Sequence, residues 1–400
     1  MPIDIRQISG QLDELTGKAR AEAQARETAA EKLRRIFAPS FEADRWVAAC
    51  AIASRLENVA WNGAMFNLGE PVNAFVPFGA EPQTYALLSA DGSQILPDRH
   101  KPAPYYLIQV AGACIAYGGN EANPDAIRQT EQKNTELVSD PARLYDARGE
   151  IIRPGEIANE RDLREIEWLA DQCESLSRAG WQVMAIADGQ IVPFVLLNDA
   201  LPPRKQREIL DRLTRALDRI QSSGAWLAGY IDRPNSNALV HAAALADVAP
   251  DDVSAERVRK SEEGAAGVFD RHILENVLPA GRRTALFEPT WQVNAKLGVH
   301  AMRACYANFG DGSDVGHPVI ARLELPEWCA RAHVLGAVCG AMRRHAHMGA
   351  GYPFILKAAH EAALVSKDDQ KQIDELVQQS LIEAGVFATR SFKQEAKDLS

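Results

Sequence analysis

The chain has no CxxC pair, no GxxxxGKS/T phosphate loop, no apolar run long enough to cross a membrane and no surplus of basic residues. Each absence removes a class of function. The six cysteines, Cys50, Cys114, Cys173, Cys305, Cys329 and Cys339, are scattered through apolar contexts, so buried thiols in a reducing cytoplasm are expected rather than disulfides. With no phosphate loop, and with GAG at Gly349 to Gly351 too short for a dinucleotide fingerprint, ATP use by this chain is not supported. The most apolar stretch, Tyr105 to Tyr117, carries Gln109 and falls short of the roughly 18 residues a spanning helix needs. The start, MPIDIRQISG, has neither the basic nor the apolar region of a secretory signal, and no membrane association is expected. Lys and Arg number 44 against 54 Asp and Glu, a formal charge of -10. A general basic coat for nucleic acid is excluded, so a polyanion would have to be held by a local patch or by metal.

What the chain does have is 400 residues, 46% of them hydrophobic and 24% charged, enough for a large core. Two matching runs stand out. YALLSADGS at Tyr85 to Ser93 and WQVMAIADG at Trp181 to Gly189 are each a short apolar stretch that ends in an acid followed by Gly. Both read as strands buried on two faces, with Asp91 and Asp188 where the strands emerge. Side by side, such strands bring two carboxylates to one point, as a hard divalent cation requires. The bland alternative for either acid is a turn former beside Gly.

Around these runs the pattern predicts a long N-terminal helix from Ile3 to Phe37, its seam running through Ile8, Leu12, Leu15, Ala19, Ala23, Ala30, Leu33 and Phe37. That seam either packs on the domain behind it or serves a partner. The helical N-terminal region spans 1–60, and a Gly, Pro and Asn-rich connection at Asn62 to Pro82 leads to the main domain at 83–385. Strands are expected at Tyr105 to Tyr117 and Arg143 to Arg153, with Gly118 to Asp140 between them as polar loop and some helix. A helix from Asn159 to Arg178 precedes the Asp188 strand, and a helix from Pro203 to Ser222 precedes a fifth strand at Ala225 to Ile231. Three strands, helix, strand, helix, strand is the succession of the ribonuclease H-like fold, an α/β mixed sheet flanked by helices whose first and fourth strands are parallel neighbours. Arg303 to Phe309 and Pro318 to Leu325 read as a hairpin. C-terminal helices are expected at Glu327 to Met348, Phe354 to Leu364 and from Ser366 to about Ala384. A polar tail closes the chain at 386–400.

A third carboxylate is expected from the helix before the Asp188 strand. Glu165 and Glu167 fall near opposite borders of its apolar stripe, so periodicity leaves the choice open. His360, one turn into a helix that follows Tyr352 and Pro353, has the chemistry to orient water or give a proton to a leaving oxygen, though a lone helical His is more often structural. Cys329, His333, Cys339, His345 and His347 resemble zinc ligands, but one helix cannot wrap a tetrahedral ion. Asp311 and Asp314 lack the spacing of a calcium loop and suit a turn. Of the basic clusters, Arg204 to Arg219 is interleaved with acids and reads as a solvated face, whereas Arg331, Arg343 and Arg344 better suit phosphate.

The segments SADGS (Ser89 to Ser93), RDLREIEWLAD (Arg161 to Asp171), ADGQI (Ala187 to Ile191), AGYIDRP (Ala228 to Pro234), ARLELPEW (Ala321 to Trp328) and GYPFILKAAHEAALVS (Gly351 to Ser366) together resemble the NurA nuclease family. The resemblance runs from about Tyr85 to Glu383. It implies a ribonuclease H-like nuclease that forms a homodimer, prefers Mn2+ over Mg2+, cuts DNA from the 5' end, nicks single strands and works with the hexameric HerA ATPase in DNA end resection. It also implies Asp91, Glu167 and Asp188 as metal ligands, with Tyr352 and His360 completing the catalytic site. Glu167 is taken over Glu165 because it matches the family's helix acid by distance to the second Asp. Ala90 departs harmlessly from a bulkier family residue, and the stretch between Asp91 and the acidic helix is longer than in compact members. The rival expectations are a non-catalytic adaptor that guides DNA into a ring ATPase, and the same nuclease used in anti-phage defence.

Overall fold

In a computed structural model the described residues are 5–66, 69–101, 103–118, 128–146, 148–197, 201–312 and 318–386. They divide into two compact units, Met1–Ala80 with Ile231–Arg343, and Glu81–Tyr230 with Arg344–Ser400.

The second unit holds both Asp-Gly runs. Its strands are β1 (Tyr85–Ile95), β2 (Tyr106–Tyr117), β3 (Arg128–Val138), β4 (Val183–Asp188) and β5 (Trp226–Asp232), paired in the order β3-β2-β1-β4-β5. Pairs β1/β2 and β2/β3 are antiparallel, whereas β1/β4 and β4/β5 are parallel. Parallel neighbours need a long crossover. Helices α1 (Pro154–Arg178) and α2 (Pro203–Ser222) supply them. Ala90 is in register with Ala187, so Asp91 and Asp188 stand one residue beyond the last pair on adjacent strands.

The third strand corrects the sequence reading. It lies at Arg128–Val138, in the stretch expected to be polar loop, while the strand expected at Arg143 to Arg153 is replaced by the end of a helical turn, Pro141–Leu144, and a bridge between Tyr145 and Ile151. Strand β3 is a sheet edge, and an edge paired on one side needs no apolar stripe, so RQTEQKNTELV carries no burial signal. Helix α1 also starts earlier than Asn159: Pro154 takes the first position and Glu156 accepts from the Arg153 N–H at 3.4 Å.

Each face of this sheet is covered for a local reason. Leu163, Ile166, Trp168, Leu169, Ala170 and Cys173 of α1 are buried, and the Trp168 ring fills the space beside Gly112. On the other face, α3 (Phe354–Ala363) brings Ala362 and Ala363 against Ala111, and Gln109 donates to the Ala363 carbonyl at 2.9 Å. Ser366 then caps α4 (Lys367–Glu383), accepting from the Asp369 N–H at 3.1 Å.

In the first unit the antiparallel hairpin Met302–Asn308 and Ile320–Pro326 forms as expected, with Arg282–Arg283 beside it. Trp46, Phe66, Phe287 and Tyr306 build the core. The N-terminal helix is observed at Ile5–Leu33, but only its end is packed: Ala30 and Leu33 are buried while Leu12 and Leu15 are exposed. All six cysteines are buried and unbridged. The helix expected from Glu327 begins at Ala332, after a separate turn at Glu327–Cys329. Asp314 and the 390–400 tail lie outside the described residues. No helix among the described residues is long and apolar enough to cross a membrane.

His345 is fully buried in the second unit, with the Tyr117 hydroxyl 2.6 Å from Nε2 and Nδ1 without a hydrogen bond. Burial, helped by the Arg344 charge, pushes its pKa down to about 4. Between that value and the ordinary pKa near 6.5 the unfolded chain takes up a proton that the folded chain refuses. Stability is therefore expected to fall by up to about 3 kcal/mol as pH drops through this window and to level off below it. Urea melts of wild type and His345→Gln at pH 7 and pH 4.5 check this, with a smaller loss expected in the variant.

Candidate active site

The DGS triplet, which lies within β1 just past its pairing with β4, assigns each residue a separate task. Asp91 accepts from its neighbour Gly92 N–H at Oδ1, 2.8 Å, and from Nδ1 of His360 at Oδ2, 2.7 Å. A carboxylate accepts, so Nδ1 carries the proton, and the largely exposed ring presents Nε2 outward. Ser93, on the same face as Asp91, accepts from the Val365 N–H at 3.3 Å and so fixes the end of the helix that carries His360. Gly92 points to the opposite face. A Cβ there would meet Cγ of Arg161 at 2.5 Å and Oε1 of Glu165 at 2.7 Å, so the missing side chain is what lets α1 lay these two groups over the strand.

Asp188 ends β4, and Gly189 leaves the strand with φ of 105°, a region that glycine enters without strain. The Tyr352 hydroxyl donates to Oδ2 of Asp188 at 2.8 Å, and its ring meets Tyr230 edge-on at 6.2 Å. Tyr352 follows a tight turn in which the Gly351 N–H donates to the Ala346 carbonyl at 2.8 Å. Four of the five expected residues, Asp91, Asp188, Tyr352 and His360, are thus brought to one end of the sheet as two hydrogen-bonded pairs.

Glu167 is not brought there. It is held by Arg212 of α2, which donates to both its oxygens at 2.8 and 2.9 Å. That pair faces away from the strand ends, near a cleft of about 370 Å3 lined by Tyr106, Arg143, Glu160, Lys205 and Arg212, whose cations are each paired with a carboxylate. Two residues along a helix turn the side chain by about 200°, so Glu165 takes the opposite direction and lies over β1. Burial raises the Glu165 pKa well above the usual carboxylate range; Arg161 opposes this, while Asp162, Asp91 and Asp188 add to it. Those influences place Glu165 in the field of both strand-end acids.

Sequence reasoning left Glu165 open and missed Arg161. The signal was present, since Arg161 and Glu165 are spaced i,i+4 in RDLREIEW and so share a helix face. Among the described residues no three His, Cys, Asp or Glu side chains are grouped closely enough, as they stand, to hold a metal ion. The donor chemistry nevertheless suits a hard divalent cation. Two carboxylates stand on adjacent strands, a third, Glu165, is buried against Gly92 within the field of both, and its Oε1 makes no hydrogen bond.

The sequence matches a family model described as the NurA domain over residues 85–365, well over half of the chain. No curated protein matches it. Among solved structures the chain is similar to the NurA nuclease from Sulfolobus solfataricus, with 12% identity over 78% of this chain and 89% of that one and a TM-score of 0.48. It is also similar to a second structure described as NurA, with 10% identity over 78% of this chain and 92% of that one and a TM-score of 0.36.

Proposed function

The chain belongs to the NurA family, and we propose that it is a divalent-metal-dependent nuclease that hydrolyses phosphodiester bonds in DNA. One observation carries this reading: the pairing of two parallel neighbouring strands stops at Ala90 and Ala187, just before Asp91 and Asp188, and the segment from Tyr352 to His360 hydrogen-bonds to both acids. The strand order β3-β2-β1-β4-β5, with β1 and β4 parallel at its middle, supports a ribonuclease H-like domain.

Asp91, Asp188 and Glu165 would hold the cation, Mn2+ in preference to Mg2+. When bound, it polarises the scissile phosphate and activates water. The protein's own groups do the rest. With Nδ1–H of His360 donated to Asp91, the outward Nε2 is an acceptor in the neutral ring and would orient or take a proton from water. The doubly protonated ring would give its Nε2 proton to the leaving oxygen. Tyr352 keeps Asp188 oriented by donating its one hydroxyl proton to Oδ2. In the cell this activity acts in the cytoplasm on DNA ends, 5' to 3' and by nicking single strands, as a homodimer fed by a HerA-type hexameric ATPase, either in repair or against phage.

End-labelled linear duplex and circular single-stranded DNA test the reading. Cleavage is expected with Mn2+, is abolished by EDTA and returns when Mn2+ is restored; cleavage that persists in EDTA sinks metal dependence. A non-catalytic adaptor is the second reading, favoured by the hydrogen bonds that already occupy Asp91 and Asp188. Calorimetric titration with Mn2+ separates the two, because an adaptor takes up no ion at these acids.

A further inference from the structure

Arg161 lies inside the acidic group. Its Nε is 3.2 Å from Oε1 of Glu165, and Nη2 donates to Asp162 at 2.7 Å. It also feels the charge of Asp91. The contact with Glu165 lacks hydrogen-bond geometry, so both Nε and Oε1 are buried without a hydrogen bond. A buried carboxylate and a buried guanidinium nitrogen left in this state are costly, and neither is what a purely structural ion pair would retain. Gly92 leaves the space that admits both groups to the strand.

We propose that Arg161 is the resident counter-ion of the metal site: without metal its guanidinium offsets Glu165 and Asp91 and positions the Glu165 carboxylate beside Gly92 of β1, and it competes with an incoming divalent cation. The proposal rests on the metal-site reading above. It makes Arg161 a positioning residue, acting on substrate through the acids it holds. Its physical content is Coulombic. A unit positive charge a few ångströms from a dication weakens that ion's binding, while in the ion's absence the same charge relieves the repulsion among the acids.

The test compares wild type with Arg161→Gln and with Arg161→Met, a second neutral variant that keeps the aliphatic stem beside Gly92. MnCl2 is titrated into each by calorimetry, and thermal melts are recorded in EDTA and in saturating MnCl2. Both variants are expected to melt several degrees below wild type in EDTA, to recover most of that difference in MnCl2, and to bind Mn2+ roughly tenfold more tightly. Equal or weaker Mn2+ binding by a folded variant, with wild type binding normally, overturns the counter-ion role alone. So does an equal loss of melting temperature with and without Mn2+. A wild type that takes up no Mn2+ overturns the metal-site reading itself, and the competition with it.

Discussion

Asp91→Ala, or Asp188→Asn, is expected to reduce Mn2+-dependent cleavage of DNA by at least about a thousandfold, a loss of roughly 4 kcal/mol of transition-state stabilisation. The expectation follows from where the two acids stand. They are one residue beyond the last pair between adjacent parallel strands, and each is still paired on its other side, Asp91 with Ala111 and Asp188 with Tyr230, so their backbones are fixed by the sheet. No loop has to order for them to meet. The fold should tolerate either change, because the interactions lost, among them those with the exposed His360 ring, the Gly92 N–H and the Tyr352 hydroxyl, are polar contacts rather than core packing. Removing one acid also relieves the repulsion felt by buried Glu165, so the melting temperature without metal is expected to stay level or rise. Cleavage that is undiminished in the purified Asp91→Ala, Asp188→Asn double variant would end the nuclease reading, and a melting temperature lowered by many degrees would show that the acids are structural.

The legible parts of the fold were those in which burial acts on both sides of an element. YALLSADGS and WQVMAIADG belong to interior strands with neighbours on either side, so the residues before the acid are nearly all apolar; the second strand ends at Asp188 as expected, whereas the first runs past Asp91 to Ile95. The parallel pairing followed from the helices between them, since a crossover from β3 to β4 leaves few other places for the strand to return. The edge strand β3 escaped notice for the opposite reason: exposed on its free side, it is free to be polar. The long N-terminal seam was read from spacing alone, and spacing does not tell which part of a stripe has something to pack on. Ala30 and Leu33 do, and Leu12 and Leu15 do not.

The site shows the same division. Asp91 and Asp188 were legible because an apolar run closing on Asp-Gly is a local pattern, whereas Tyr352, and His360 as more than a structural helix residue, came from the family resemblance. The third acid depended on rotation about a helix, where an apolar stripe has two borders and composition favours neither. What decides the matter is the partner on each side. Arg212, from a helix that begins after the Asp188 strand, takes Glu167, and Gly92, which offers no side chain, makes room for Glu165. Both facts are tertiary, and the family resemblance, taken by distance along the chain, selected the residue that the fold turns away.

Glu165→Gln is therefore expected to lower Mn2+-dependent cleavage by at least about a hundredfold, and Glu167→Gln to leave it within about threefold of wild type. The two variants should part in stability as well. Glutamine removes the repulsion from Asp162, Asp91 and Asp188 together with the attraction to Arg161, so that change should shift the melting temperature little. Glu167→Gln breaks a two-oxygen pair with Arg212, yet Arg212 keeps Glu160 at 2.6 Å and the site is partly solvated, so a cost of about 1 kcal/mol is expected. The pH profile gives a third readout. An ion is held by the charged carboxylate, and a raised pKa keeps that form scarce until higher pH, so the acidic limb of the wild-type cleavage profile should lie above the range of an ordinary glutamate. An active Glu165→Gln beside an inactive Glu167→Gln would return the third ligand to the α2-facing border of α1. It would also require Arg212 to release Glu167 before the site could form, a rearrangement that melting in the presence and absence of Mn2+ would reveal.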